Sequence, residues 1–256
     1  MENFMKELLS KRLVFIGIGI FNIALFHYAI LRLWFFLLNS SGRLEVQSPI
    51  LALVINTALL VFFSAPHSLL LNSKVKVKFL QYMPNALYGT FYSLHACLGI
   101  VLMDNYWVTM GPNLLNLDQI SEGVVIALYA FNWLFMFWSM LATGLFRQSG
   151  IEEWWKSLKG EKIKYTLLSD GPYRVCRHPI YASFIGMIWF SPNVSIDRLY
   201  LSLFWTAYIL LGASLKERRL RRNKKYQSYS QEVPAFPFMP RSWDNFLTYK
   251  IWGQPR

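Results

Sequence analysis

Cysteine is nearly absent: Cys97 and Cys176 are the only two in 256 residues, and they form no CxxC or CxxH pattern. A disulfide framework and a zinc site are therefore not implied, and no metal is expected. Acidic residues are also few, 14 against 26 Lys plus Arg, for a net charge of +12. In a soluble domain that excess would suggest nucleic acid. Here the basic residues sit between long apolar runs, so membrane topology is the better account and no nucleic-acid partner is expected. Internal repeats and low-complexity segments are missing. So are the paired broken helices that transporters show, which makes a transporter the weaker reading.

What the chain does have is apolar length. Hydrophobic residues make up 54%, aromatics 17%, and mean hydropathy is +0.29. A membrane-spanning helix needs about 20 apolar residues. Candidate spans run from about Leu13 to Leu38, Pro49 to Ala65 (ending at Pro66), Ala86 to Met103, and Val124 to Phe146. A further apolar stretch starts at Pro179, breaks at the turn signal Ser191-Pro192-Asn193, and resumes from about Leu199 to Leu215. The first run is too long for the apolar part of a signal peptide and no small-residue cleavage site follows it, so it is expected to be retained. The expectation is an all-α integral membrane protein of about six spans in a lipid bilayer, the last two forming a helical hairpin. Residues 1–256 read as a single membrane domain: four spans over 13–146, a loop over 147–178, and the hairpin with its tail over 179–240.

Charge supports this count. Lys6, Lys11 and Arg12 precede span one, and Lys74, Lys76 and Lys78 follow span two. Arg147, Lys156, Lys159, Lys162, Lys164, Arg174 and Arg177 follow span four, and the tail opens with Lys216, Arg218, Arg219, Arg221, Arg222, Lys224 and Lys225. The alternate loops are poor in Lys and Arg: residues 39–48 hold only Arg43, and 104–123 hold none. The positive-inside rule then places both termini, the 147–178 loop and the basic tail in the cytosol. That fits a bacterial inner membrane, or the endoplasmic reticulum or nuclear envelope of a eukaryote.

The run Asp170-Gly171-Pro172-Tyr173-Arg174-Val175-Cys176-Arg177-His178-Pro179-Ile180-Tyr181 carries the most information. A turn leads to Arg177 and His178, then to a proline suited to the first helical position. The N-terminus of that helix presents free N–H groups and the positive end of its dipole, which favour carboxylates or phosphates. If the last two spans form a hairpin, Arg177, His178 and Tyr181 face Glu217 and Arg218 across one pocket. Such a pocket suits a zwitterionic ligand. Taken singly, each residue also fits a blander role: Arg177 and Arg218 as helix-end anchors at the headgroups, His178 and Pro179 as a helix start.

The stretch Gly171-Pro172-Tyr173-Arg174…Arg177-His178-Pro179-Ile180-Tyr181 resembles the GxYxxxRHPxY signature of the isoprenylcysteine carboxyl methyltransferase superfamily. Glu217-Arg218…Leu220 with Tyr226 and Tyr229 is similar to its EERxL…Y..Y signature, with Lys216 at the first glutamate, no Phe-Gly, and a shortened spacing to Tyr226. In the N-terminal half, Pro66-His67-Ser68-Leu69, Leu87-Tyr88 and Trp107 resemble the nurim and methanethiol S-methyltransferase branch, although Arg147 stands where the thiol-methylating members have an acid. The resemblance implies S-adenosylmethionine bound at the cytosolic end of the last two helices, held by Tyr173, His178, Pro179, Tyr181, Glu217 and Arg218. Arg177 or Arg218 would clamp its methionine carboxylate. The acceptor would be a small thiol or another lipophilic molecule. His67, near the same depth, is a candidate base for a thiol proton, and Arg177 the other candidate catalytic residue. A non-catalytic nurim-like protein and a carboxyl methyltransferase of the isoprenylcysteine type are the alternatives. His27, Arg32, His95 and Cys97 lie within spans, where ionisable groups merit notice.

Overall fold

The computed structural model describes residues 2–39, 43–115, 117–144, 146–147, 149–161 and 167–246. Lys162, Lys164 and the side chains of Lys6, Lys11 and Arg12 lie outside the described residues. The chain is helical throughout: α1 (Glu2–Asn39), α2 (Pro49–Leu70), α3 (Ser73–Phe79), α4 (Asn85–Tyr106), α5 (Gln119–Thr143), α6 (Ile151–Leu158), a 3-10 turn (Gly171–Arg174), α7 (Pro179–Trp189), α8 (Ile196–Leu220), α9 (Lys224–Glu232) and α10 (Arg241–Asn245). Among the described residues no strand occurs, only an isolated bridge between Leu44 and Val108.

Helix boundaries follow local chemistry. Ser48 caps α2, its hydroxyl accepting from Leu51 N, and Pro49 takes the first turn where no N–H is needed. Asp118 caps α5 through Ser121 N at 2.8 Å, and Asn223 caps α9 through Lys225 N at 3.0 Å. Span two does not stop at Pro66, as the sequence suggests, but continues to Leu70. Proline removes only its own bond to the carbonyl four residues back, and a helix held by tertiary packing absorbs that loss. His67 therefore sits within the last turn of α2 rather than beyond it.

Among the described residues four helices are long and apolar enough to cross a membrane: Leu13–Asn39, Pro49–Leu70, Gln119–Thr143 and Ile196–Leu220. In each, only 17–28% of the most apolar window is buried within the protein. Phe131, Leu134, Phe137 and Trp138 on α5, and Leu51, Val54 and Val61 on α2, point outward. Apolar surface on this scale needs an apolar solvent, which identifies an integral membrane protein. α4 is as long as α2 but carries buried Thr90, Ser93 and Asp104, so it is an interior helix, packed on α1, α2 and α6. α7, with 11 residues, spans only about 16 Å; it packs against α5 and α8. The core between these helices holds Leu33, Phe36, Leu60, Phe63, Trp107, Tyr129, Trp133 and Met187. Trp133 is thus a packing residue, while Trp138 is half exposed.

Two contacts fix the frame. At one end, Asn56 pairs with both backbone groups of Val108 at 2.9 Å, and buried Asp197 accepts from Trp107 Nε1 at 2.8 Å and Met110 N at 2.9 Å. This ties the loops at that end to α2 and α8. At the other end the backbone of Gly150, at φ +71°, presses on that of Gly89; a Cβ on Gly150 would sit 2.2 Å from the Gly89 carbonyl carbon. That contact seats the α5–α6 connection against α4.

Candidate functional site

The site begins at Gly171, whose φ of +60° turns the chain into a 3-10 helix. Pro172 and Tyr173 are buried beneath it, and burial pushes the Tyr173 phenol up to about 12. The chain then runs extended past Arg177 and His178 into α7. There it is clasped by the tail: Arg177 N donates to Pro234 O at 2.9 Å and His178 N to Ala235 O at 3.1 Å. Pro179, buried, is the first residue of α7.

Glu217, near the end of α8 and 2% exposed, is the centre. Its Oε1 accepts from Arg177 Nε at 2.9 Å, from His178 Nε2 at 2.9 Å and from the Tyr226 hydroxyl at 2.5 Å. Arg221 Nε lies 3.4 Å from Oε2. Every nitrogen of Arg177 is engaged. Nη1 reaches Ser230 O, Val233 O and Asp244 Oδ2 at 3.1, 2.5 and 3.1 Å, and Nη2 reaches Asp244 Oδ1 at 2.8 Å. Two guanidiniums and two carboxylates thus balance in one buried network, the arrangement in which removing one member costs most. Burial opposes the Arg177 charge, but Asp244 and Glu217 outweigh it and hold its proton more tightly than usual. His178 goes the other way: burial holds its pKa below the ordinary value, and Glu217, already neutralised by Arg177, restores only part. A neutral His178 donates from Nε2 to Glu217, which leaves Nδ1 a buried acceptor with no partner among the described residues.

The structure therefore brings together Tyr173, Arg177, His178, Pro179, Tyr181 and Glu217, but not Arg218. On a helix the neighbour of an inward residue points away, and Arg218 is exposed; Arg221, one turn on, takes the inward place beside Glu217. Arg177 has no nitrogen free for a ligand's carboxylate. Tyr181 stacks on His178 at 5.4 Å, and Phe236 from the tail packs against the same ring at 5.7 Å, tilted by 43°. Lys216, standing where the resemblance has an acid, lays its ammonium over the Tyr181 ring at 5.2 Å. Tyr229 closes the turn by donating to Tyr173 O at 2.5 Å, so the shortened spacing still brings both tyrosines home on one face of α9. Arg147 pairs with Glu152 at 2.9 Å, which places a carboxylate beside it after all.

S-adenosylmethionine carries hydrogen-bond donors, an aromatic base and a sulfonium cation. Among the described residues the orphan Nδ1 of His178 suits such a donor, while the Tyr181 ring is taken up by His178 and Lys216. Among the described residues no group of three metal-ligating side chains converges.

A second polar cluster lies between α2, α4 and α8. His67 Nε2 meets the Tyr92 hydroxyl at 2.5 Å, and its ring stacks on Phe63 at 5.0 Å. Ser68 Oγ and Tyr208 OH are 2.8 Å apart. Tyr208 lies on α8, the helix that also carries Glu217. Sequence reasoning missed Tyr92, Arg221, Phe236 and Asp244. The i, i+4 spacing of Glu217 and Arg221 was a usable signal; nothing local marks the others.

Over 189 residues the chain is 28% identical to a methanethiol S-methyltransferase of Pseudomonas sp. (strain GM41(2012)), covering 72% of each chain. A methanethiol S-methyltransferase of Crocosphaera subtropica is 26% identical over 211 residues, 80% of this chain and 82% of that one. Nurim of Sus scrofa is 27% identical over 190 residues, 70% and 72% of the two chains. No protein-family profile matches the chain. No solved structure matches it either. The chain is a homologue of the methanethiol S-methyltransferases and of nurim, the branch that its Pro66-His67-Ser68 residues resemble.

Proposed function

We propose that this protein is a membrane-embedded S-adenosylmethionine-dependent methyltransferase whose acceptor is a small thiol. The carrying observation is that α8 serves two polar clusters: Glu217 pairs with His178, which stacks on Tyr181, and Tyr208 meets Ser68 beside the His67–Tyr92 pair. One cluster suits a methyl donor and the other an acceptor. Bound at His178, Tyr181 and Phe236, S-adenosylmethionine supplies an electrophilic methyl group for in-line transfer to sulfur. Tyr173 and Pro179 shape the floor beneath it. Glu217 holds the His178 ring in place, and Arg177 holds Glu217 and the tail, so positioning rather than acid–base chemistry is their contribution. His67 acts at the acceptor sulfur.

The topology that serves this reading has six spans, with α4 and α7 completing the four long apolar helices and α7–α8 forming a hairpin. Both termini lie in the cytosol, where the donor is made, and the thiol enters from the bilayer. A bacterial inner membrane and a eukaryotic nuclear envelope both suit this arrangement.

One observation favours a non-catalytic, nurim-like role: Glu217 and Arg177 are fully engaged within the protein and Lys216 covers Tyr181. Two measurements on detergent-purified protein decide between the readings. The first is equilibrium binding of labelled S-adenosylmethionine. The second is label transfer to methanethiol. Binding with transfer is expected; binding without transfer to any thiol supports the nurim-like role, and neither refutes the methyltransferase assignment outright.

A further inference from the structure

The hydroxyl of Tyr92 and the imidazole of His67 share one hydrogen bond, and the atoms around it decide which way the proton points. Among the described residues the Tyr92 hydroxyl has His67 Nε2 as its one hydrogen-bond partner, and His67 Nδ1 is buried with none. If Nε2–H donated to the phenol oxygen, the phenol hydrogen and the Nδ1 lone pair would both be left unsatisfied. If the phenol donates to Nε2, the Nδ1–H alone lacks a partner. The second arrangement leaves fewer buried polar groups unmade, and each such group costs about 1–3 kcal/mol.

We propose that Tyr92 is a positioning residue: by donating to His67 Nε2 it fixes the ring as its Nδ1–H tautomer, a hydrogen-bond donor that receives the sulfur of an already ionised thiol. This rests on the thiol-methyltransferase reading and changes the role of His67 within it from base to anion donor. A ring whose Nε2 lone pair is occupied and whose Nδ1 carries hydrogen has no site for the thiol's proton. That proton goes to bulk water before the sulfur seats, and the imidazole keeps its own proton count and charge. A neutral S–H would meet a donor and gain nothing, whereas a thiolate gains a charge-assisted bond in a dry setting. The ionisable groups whose field reaches the pair are Tyr88 and His95 from α4, Tyr208 from α8 and Tyr181 from α7. No carboxylate stands among them to compete with an anionic sulfur. The His95 Nε2, also buried without a partner, is the other imidazole in that field. His67 is held against rotation by Phe63, stacked at an interplanar angle of 18°.

The tautomer is directly readable. The chain has four histidines, so nitrogen-15 spectra of histidine-labelled protein in detergent can be assigned with single His→Gln variants. His67 should show an unprotonated Nε2 and a protonated Nδ1 from pH 6 to 8, and Tyr92→Phe should convert it to a tautomer mixture. The pH profile of kcat/KM, measured with two alkyl thiols of different acidity, should rise along each thiol's own pKa. Tyr92→Phe should lower kcat/KM for the thiol about tenfold, near the worth of one buried hydrogen bond, while S-adenosylmethionine binding stays unchanged. A protonated Nε2, or one rising limb near pH 6–7 shared by both thiols, overturns the inference but leaves thiol methylation standing. Absence of transfer to every thiol overturns both.

Discussion

Arg177→Ala separates a structural hub from a ligand clamp. The side chain is fully buried and holds Glu217, Asp244 and two tail carbonyls at 2.5–3.1 Å. Removing one partner from such a network costs about 3–5 kcal/mol, because the carboxylates left behind remain out of water. For a chain of this size each kcal/mol lowers Tm by about 2–4 °C, so a fall of about 6–20 °C is expected. The protein carries its own reporter in Cys176, fully buried beside Arg177, with its thiol pushed up to about 12 by burial. In a Cys97→Ala background, alkylation of Cys176 should be very slow in the parent and fast in the variant, as the tail lifts from the start of α7. Arg177→Lys, which keeps the charge but not the planar fork, should fall between. A clamp for a ligand's carboxylate would behave differently, with weak S-adenosylmethionine binding, an unchanged Tm and a protected Cys176. That outcome would refute the hub.

Stability should fall below about pH 6.5, because burial holds the His178 pKa beneath its unfolded value: the unfolded chain binds the extra proton first, so stability is level above that pH and declines as pH drops. Thermal melts from pH 8 to 5 should show the decline, and His178→Gln should flatten it. Gly150→Ala forces a Cβ to 2.2 Å from the Gly89 carbonyl carbon at φ +71°, and should sharply reduce the folded yield in detergent chromatography, with wild-type yield counting against the close contact. Reporters fused after Lys78, after Lys164 and at Arg256 should read cytosol and one near Asn116 the opposite side; an external C-terminus would sink the six-span topology.

What the sequence made legible was whatever has a local or periodic signal. Long apolar runs, alternating Lys and Arg, and Pro179 at a helix start led directly to α1, α2, α5, α8 and the origin of α7. Pro66 misled because proline is a local signal, while the continuation to Leu70 depends on packing against α4 that no window of sequence contains. The same division runs through the site. His178 and Glu217 were paired correctly because both lie next to recognisable helix ends. Arg218 is adjacent to Glu217 in the motif, but adjacency hides direction: with 3.6 residues per turn, Glu217 inward puts Arg218 about 100° away and Arg221 nearly in line. Asp244 and Tyr92 lie 67 and 25 residues from the side chains they hold, and nothing near either of them announces a partner. Both are polar groups whose meaning comes from what is buried opposite. For Asp244 that is a guanidinium already turned toward Glu217; for Tyr92 it is an imidazole nitrogen that would otherwise be free to take a proton. The partners of the motif residues are therefore the ones a motif omits, because each is defined by the buried atom it occupies rather than by its own neighbours in sequence.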